Sequence, residues 1–167
     1  MLLNLVKKRE GVEKVRFSRE CCPELGSLEH QEMQKIDYRG LIGSLNYLSS
    51  TARPDISFVS HQLSSFLENP GFEHLQAAKH VLRYLQGTKE YKLTFRNDKT
   101  GGRLLGYSDA DWAGNVDSRR STNGYCFSIQ KGSGCVSWSS KTQTSVALST
   151  AESEVCAATA ASQECVH

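Results

Sequence analysis

The chain has 167 residues, 38% of them hydrophobic and 23% charged, with a formal net charge of +2. That length suits one ordinary domain or two small pieces, and the near-neutral balance excludes function through a strong overall field. Six cysteines without a C-x-x-C pair argue against a zinc site, and no stretch approaches the ~20 apolar residues of a membrane helix.

The N-terminal MLLNLVKKRE reaches Lys7 before a long apolar run develops, so no secretory signal is expected. A reduced, soluble, intracellular protein follows, cytoplasmic or nuclear, with no membrane partner. Residues 1–20 carry six Lys/Arg against three Glu. Residues 2–9 pattern as the last turns of an amphipathic helix, the beginning of a chain cut from something longer. Residues 10–36 have no clean period and include CCPELGS, which reads as an irregular linker.

Between Tyr38 and about Ser50 the apolar positions Tyr38, Leu41, Ile42, Leu45 and Leu48 recur at helical spacing. TARPDISFVSHQLSSFLENPG predicts a second helix, with Pro54 in its first turn and Ile56, Val59, Leu63, Phe66 and Leu67 inward. FEHLQAAKHVLRYLQGT predicts a third, with Leu75, Ala78, Val81, Leu82 and Leu85 on one face and Gly87 just past its end.

The period then changes from 3.6 to 2. Segments 91–95, 103–109, 124–129 and 134–140 read as strands, and QKGSG fits a hairpin loop between the last two. Cys126 and Cys135 can face each other across that hairpin, and no native disulfide is expected. STAESEVCAATAASQECV opens with a capping signal and predicts a closing helix. The fold class is α+β: a helical unit, then an incomplete sheet of three antiparallel strands and one helix. The expected divisions are 1–37, 38–96 and 97–167.

GYSDADWAGN sets Asp109 and Asp111 at the mouth of a strand. Either they are solvated turn residues, or they hold a cation. Mg²⁺ takes oxygen ligands, few of them carboxylates, and leaves positions for water and phosphate. On the closing helix, Glu152 closes a Ser149-Thr150-Ala151-Glu152 capping box at its N3 position and has a structural task. Glu154 has none. It stands ~200° around the helix from Glu152, so it is the better candidate ligand, with a solvated surface charge as the alternative. Arg119 and Arg120 are candidates to grip phosphate, or a charge pair that discourages edge aggregation. Trp112 and Trp138 can stack on bases or simply pack.

Two long stretches carry a resemblance. YRGLIGSLNYLSSTARPDISFVSHQLSSFLENPGFEHLQAAKHVLRYLQGT resembles the region after the reverse transcriptase core in copia-type LTR retrotransposon Pol polyproteins. GYSDADWAGNVDSRRSTNGYCFSIQKGSGCVSWSSKTQTSVALSTAESE is similar to the start of the ribonuclease H domain of the same polyproteins. Residues 2–9 are similar to the end of a thumb helix. The resemblance implies a ribonuclease H sheet and Mg²⁺-dependent cleavage of RNA in RNA–DNA hybrids, with the remainder of a Pol polyprotein as partner. It places the first two of four catalytic metal-binding carboxylates at Asp109 and Glu154. Asp111 lies in the motif beside the metal ligands without matching one.

The family's third and fourth carboxylates lie further along, beyond where this chain stops. Whether the chain is an enzyme is therefore open at this stage. It is either a ribonuclease H-type endonuclease segment, inactive as this isolated chain, or a non-enzymatic retroelement remnant that binds nucleic acid or another partner.

Overall fold

A computed structural model describes residues 17–95 and 103–166. The expected helix at 2–9 and most of the basic N-terminus lie outside the described residues. The chain divides into two compact units, one ending at Tyr91 and one beginning at Lys92.

The first unit is helical. Its helices are α1 (Leu28–Gln34), α2 (Tyr38–Thr51), α3 (Ser57–Ser64) and α4 (Phe72–Gly87). Ser27 caps α1 by accepting the His30 N–H, and Asp37 caps α2 by accepting the Gly40 N–H at 2.8 Å. Each cap satisfies a donor that the first turn leaves open. Helix α1 corrects the expectation of an irregular linker over 10–36. It is seven residues long and buries only Met33, while Leu28 is exposed. So short an element shows no apolar period to read.

The second expected helix is broken. Pro54–Ile56 is a 3₁₀ turn and α3 begins at Ser57, with Phe66 and Leu67 past its end. The core nevertheless collects the expected side chains: Tyr38, Ile42, Leu45, Ile56, Leu63, Phe66, Leu75, Ala78 and Val81 are buried, joined by Phe17 and Met33. Leu82, expected inward, is exposed. Gly87 is the last residue of α4 and not a left-handed terminator, since positive φ among glycines occurs at Gly26 and Gly132.

The second unit holds β1 (Leu105–Asp111), β2 (Thr122–Ser128) and β3 (Cys135–Thr142), followed by α5 (Thr150–Val166). The sheet order is β1-β2-β3, antiparallel throughout. Gly132, at φ +79°, turns the β2–β3 hairpin, where a side chain would strain the backbone. The expected strand at 91–95 is absent. Its only link to the sheet among the described backbone bonds is the Gly134 N–H donating to the Thr94 carbonyl at 2.8 Å. Helix α5 buries Ser153, Ala157 and Ala161, a stripe of small residues at four-residue spacing, and packs on β1 and β2. Among the described residues, no helix is long and apolar enough to cross a membrane.

Candidate active site

Strand β1 carries Asp109 opposite Gly124 of β2, and Asp111 opposite Thr122. Gly124 pairs in turn with Ser140 of β3. Directly opposed residues point to the same face, and neighbours along a strand to opposite faces. Asp109, Asp111, Thr122 and Ser140 thus share one face. Asn123, Tyr125 and Ser137 share the other, and that is the face α5 covers. Glu164 of α5 accepts from the Ser137 hydroxyl at 2.7 Å. Burial and the same Glu164 carboxylate raise the Tyr125 hydroxyl above its ordinary pKa.

The start of α5 is tied to the Asp109 end of the sheet. Gln143, one residue past β3, donates through its side-chain nitrogen to the Asn123 side-chain oxygen and to the Ser153 carbonyl. Asn123 is the register partner of Ala110. Ser153 and its neighbour Glu154 therefore lie at the same end of the sheet as Asp109, while Asp109 itself leaves β1 on the face away from the helix.

The carboxylates of α5 and Asp109 of β1 differ in what they already do. Ser149 Oγ accepts the Glu152 N–H at 3.2 Å, and Glu152 Oε2 accepts the Leu148 N–H at 2.7 Å. This is the anticipated capping box with the return bond set one residue earlier. Glu164 is engaged with Ser137. Among the described residues, no hydrogen bond or ion pair engages the carboxylate of Asp109 or of Glu154. Asp109 is half-buried and Glu154 exposed.

The face that bears Asp109 has further oxygens without partners. Thr122 Oγ1 and Ser140 Oγ are both buried and make no hydrogen bond among the described residues. A hard cation accepts such oxygens as ligands directly or through water. The donor set at this end of the sheet thus has the chemistry Mg²⁺ requires. No group of three or more His, Cys, Asp and Glu side chains comes together among the described residues.

Arg119 and Arg120 sit exposed in the β1–β2 connection. Asn115 organises that loop: its N–H donates to the Arg120 carbonyl at 3.1 Å, and its own carbonyl accepts the Arg119 N–H at 2.9 Å. Arg119 adopts φ +56°. Trp112 packs against the approach to α5 and donates its indole N–H to the Ala147 carbonyl at 3.1 Å. Cys126 is opposite Trp138, and Cys135 opposite Ser128, so the two cysteines are not direct partners. No disulfide joins any of the six cysteines. Burial, then the Cys135 thiol beside it, pushes the Cys126 thiol up to about 12.

The most organised polar cluster lies in the helical unit, at residues the sequence reading passed over. Arg53 forks onto Asp55, with Nε to Oδ1 at 2.9 Å and Nη2 to Oδ2 at 2.7 Å. It also donates to the Thr88 carbonyl and to the Thr88 hydroxyl. Tyr84 donates to Asp55 Oδ2 at 2.8 Å, and the guanidinium stacks 5.5 Å from the Tyr84 ring. The cluster ties the α2–α3 link to the end of α4. The only sequence signal was an Arg-Pro-Asp run at a turn.

Comparison with known proteins gives the chain its relatives. It is 48% identical over 134 residues to the secreted RxLR effector protein 161 of Plasmopara viticola, spanning 80% of this chain and 92% of that protein. It is 43% identical over 155 residues to the retrovirus-related Pol polyprotein from transposon TNT 1-94 of Nicotiana tabacum, spanning 91% of this chain and 11% of the polyprotein. It is 48% identical over 118 residues to the corresponding polyprotein from transposon RE1 of Arabidopsis thaliana, spanning 71% of this chain and 8% of the polyprotein. The chain thus spans about a tenth of the Pol polyproteins it matches. No protein-family profile matches it. No solved structure matches it. With these identities running through both the helical and the sheet units, the chain belongs to the copia-type LTR retrotransposon Pol polyproteins, of which it is a segment.

Proposed function

We propose that this segment contributes part of a ribonuclease H site, in which Asp109 and Glu154 hold Mg²⁺ for cleavage of the RNA strand of an RNA–DNA hybrid. The observation that carries this reading is selective. Among the described residues, the carboxylates of Asp109 and Glu154 make no hydrogen bond, while those of Glu152 and Glu164 do. A bound Mg²⁺ would polarise a phosphate oxygen and lower the pKa of a water. Asp109 would hold its ligating oxygen from β1, and Glu154 from the first turns of α5. Arg119 and Arg120 are proposed to contact backbone phosphates, and Asp111 to brace the strand end beside Asp109.

Two-metal hydrolysis needs a cage that fixes both ions, and ~1 Å of misplacement can cost about 10²-fold. Two carboxylates supply only part of that cage. The purified chain is expected to bind Mn²⁺ weakly, with paramagnetic broadening of backbone signals centred on Asp109 and Glu154, and to show no metal-dependent cleavage of a labelled hybrid. Broadening should vanish in Asp109→Asn. Broadening elsewhere, or none at any concentration, would sink the metal assignment. Cleavage that disappears in Asp109→Asn would show that the 167-residue chain is itself a nuclease.

One observation favours a second reading. The chain spans nearly all of a protein whose name describes a secreted effector, which is a product of similar length. A unit of this size then acts without the rest of a polyprotein, as a non-enzymatic binding module. Unchanged partner binding in Asp109→Asn/Glu154→Gln would support that alternative.

A further inference from the structure

The β2–β3 hairpin carries a cysteine on each strand, and the two stand closer than regular pairing would place them. Cys126 and Ser128 are two residues apart on β2 and so point to one face. Cys135 opens β3 opposite Ser128. Cys126 and Cys135 are therefore diagonal neighbours on that face. In a regular antiparallel ladder such diagonals are ~7–8 Å apart, beyond the Cα separation of about 4.4–6.8 Å that a disulfide spans. This ladder is not regular. The register shifts between Phe127 and Ser128, and Val136 is left without a partner on β2. Such a bulge bends its strand and increases the local twist. Here the Cys126 and Cys135 thiols share a hydrogen bond.

The loop between them is held by its own bonds. The Ser128 hydroxyl lies 2.8 Å from the Gln130 carbonyl and 3.1 Å from that of Ser133, and the Ser133 N–H donates to the Gln130 carbonyl. Every residue from Cys126 to Cys135 belongs to this hairpin, so the meeting of the two sulfurs is a property of the hairpin, whatever further chain packs on the sheet. The sulfurs differ in access. Cys126 is 8% exposed, while Cys135 is only half-buried. Burial keeps Cys126 protonated, with its pKa pushed up to about 12. The thiolate is the attacking form, so Cys126 does not open an exchange with an external reagent. Cys135 is the sulfur such a reagent meets.

We propose that Cys126 and Cys135 form a reversible disulfide that staples the β2–β3 hairpin, made by exchange with a low-molecular-weight disulfide. The Cys135 thiolate attacks one sulfur of the reagent RSSR. The reagent's S–S bond breaks, and one RS⁻ leaves and takes up the proton that Cys135 gave to water. A mixed disulfide, Cys135–S–SR, remains beside Cys126. The Cys126 sulfur then attacks the Cys135 sulfur, and its proton goes to the second RS⁻ as that leaves. This second attack is intramolecular, and the high effective concentration offsets the small thiolate fraction. Two protein thiols are oxidised to one disulfide, and RSSR is reduced to two RSH. The proposal goes beyond the metal chemistry and does not depend on it.

The test is oxidised glutathione added to the folded full chain, quenched by alkylation and read by mass spectrometry after trypsin. Trypsin cuts after Lys131, between the two cysteines, so the disulfide shows as residues 121–131 linked to residues 132–141. That linked pair is the expected major product, and dithiothreitol should return it to two separate alkylated peptides. Exposed Cys165 reports that the reagent is active. Cys126→Ser should accumulate glutathione on Cys135, because the resolving sulfur is gone. Cys135→Ser should leave Cys126 without glutathione. In the linked chain the amides of β2 and β3 should exchange ~10-fold more slowly, because a closed loop restricts the opened hairpin. A wild type whose Cys135 stays reduced while Cys165 reacts, or keeps glutathione without forming the linked pair, would overturn the proposal. So would glutathione on Cys126 in a folded Cys135→Ser chain, or a linked hairpin that exchanges no more slowly. Circular dichroism checks that each variant folds, and the wild-type result stands without either variant.

Discussion

Two buried polar side chains of the helical unit make predictions at the scale of single residues. His74 is fully buried, stacked 4.1 Å from the Phe66 ring and 5.1 Å from that of Phe17. Its Nδ1 accepts the Gly71 N–H at 2.9 Å, which requires that nitrogen to be unprotonated. Burial lowers its pKa, and the nearby Glu73 and Glu29 only partly oppose this. The folded value therefore lies below the unfolded one, near 6.5. Stability from the neutral ring is present above about pH 6.5 and is lost as pH falls through the window between the unfolded and folded values, by no more than about 1.4 kcal/mol per pH unit. Urea denaturation between pH 7 and 5 should show stability falling with pH, and His74→Phe should flatten the fall.

Asp55 behaves in the same sense at lower pH. Burial raises its pKa, but the hydrogen bonds from Arg53 and Tyr84 outweigh burial and leave it below the ordinary aspartate value. Its contribution is full above about pH 4 and fades as pH drops through the folded value. Asp55→Asn strands the mostly buried Arg53 guanidinium and should cost about 3 kcal/mol. Arg53→Met with Asp55→Asn should recover much of that loss, because the uncompensated charge is gone. A single variant as stable as wild type would refute the pairing.

At the scale of elements, the closing helix depends on its entry. Helix α5 has a buried stripe of one serine and two alanines, so apolar burial holds it weakly. The Ser149–Glu152 pair supplies two bonds to otherwise open donors. Ser149→Ala should cost about 1 kcal/mol, and helix-end amides from Ala151 to Glu154 should exchange faster than those near Ala157. Glu154→Gln should leave that stability unchanged, because its carboxylate makes no hydrogen bond among the described residues. This pair of variants separates a capping glutamate from a candidate ligand two residues away, without any activity assay. At the end of α4 the structure reversed a sequence expectation. Gly87 completes the last turn, and Thr88 terminates it by donating its hydroxyl to the Tyr84 carbonyl while receiving Arg53.

At the scale of the whole molecule, the two units differ in what holds them. The large buried apolar side chains of the helical unit form one cluster, between Phe17 and Val81. Among the described residues of the sheet unit, Phe127 is the single large buried apolar side chain, with Ala113, Cys126, Ala147, Ala157 and Ala161. Stability scales with apolar area removed from water, and small units have little to spare. A fragment of residues 16–91 is expected to melt cooperatively by circular dichroism, while a fragment of 92–167 is expected to show a broad transition or none. Equal, sharp melting of both would contradict this distribution of the core.

The helical periodicity and the strand alternation were legible in the chain itself, because both are set by the local geometry of side-chain direction. Tyr38, Ile42, Leu45, Leu75, Ala78 and Val81 could be assigned to a core from spacing alone. So could the capping role of Glu152, because a capping box is a local bonding pattern. Three features were decided only by tertiary structure. Segment 91–95 has the composition of a strand but makes only the Gly134–Thr94 bond to the sheet among the described backbone bonds, and a strand exists only through its ladder. Leu82 fits the apolar face of α4 by spacing, yet no element packs over it. The faces of β1 depend on a register that spans three strands, and that register sends Asp109 away from α5 while bringing Glu154 to the same end of the sheet. A sequence specifies which residues alternate. Which face a helix covers is settled by contacts such as Gln143 with Asn123 and Ser153, made between residues far apart in the chain.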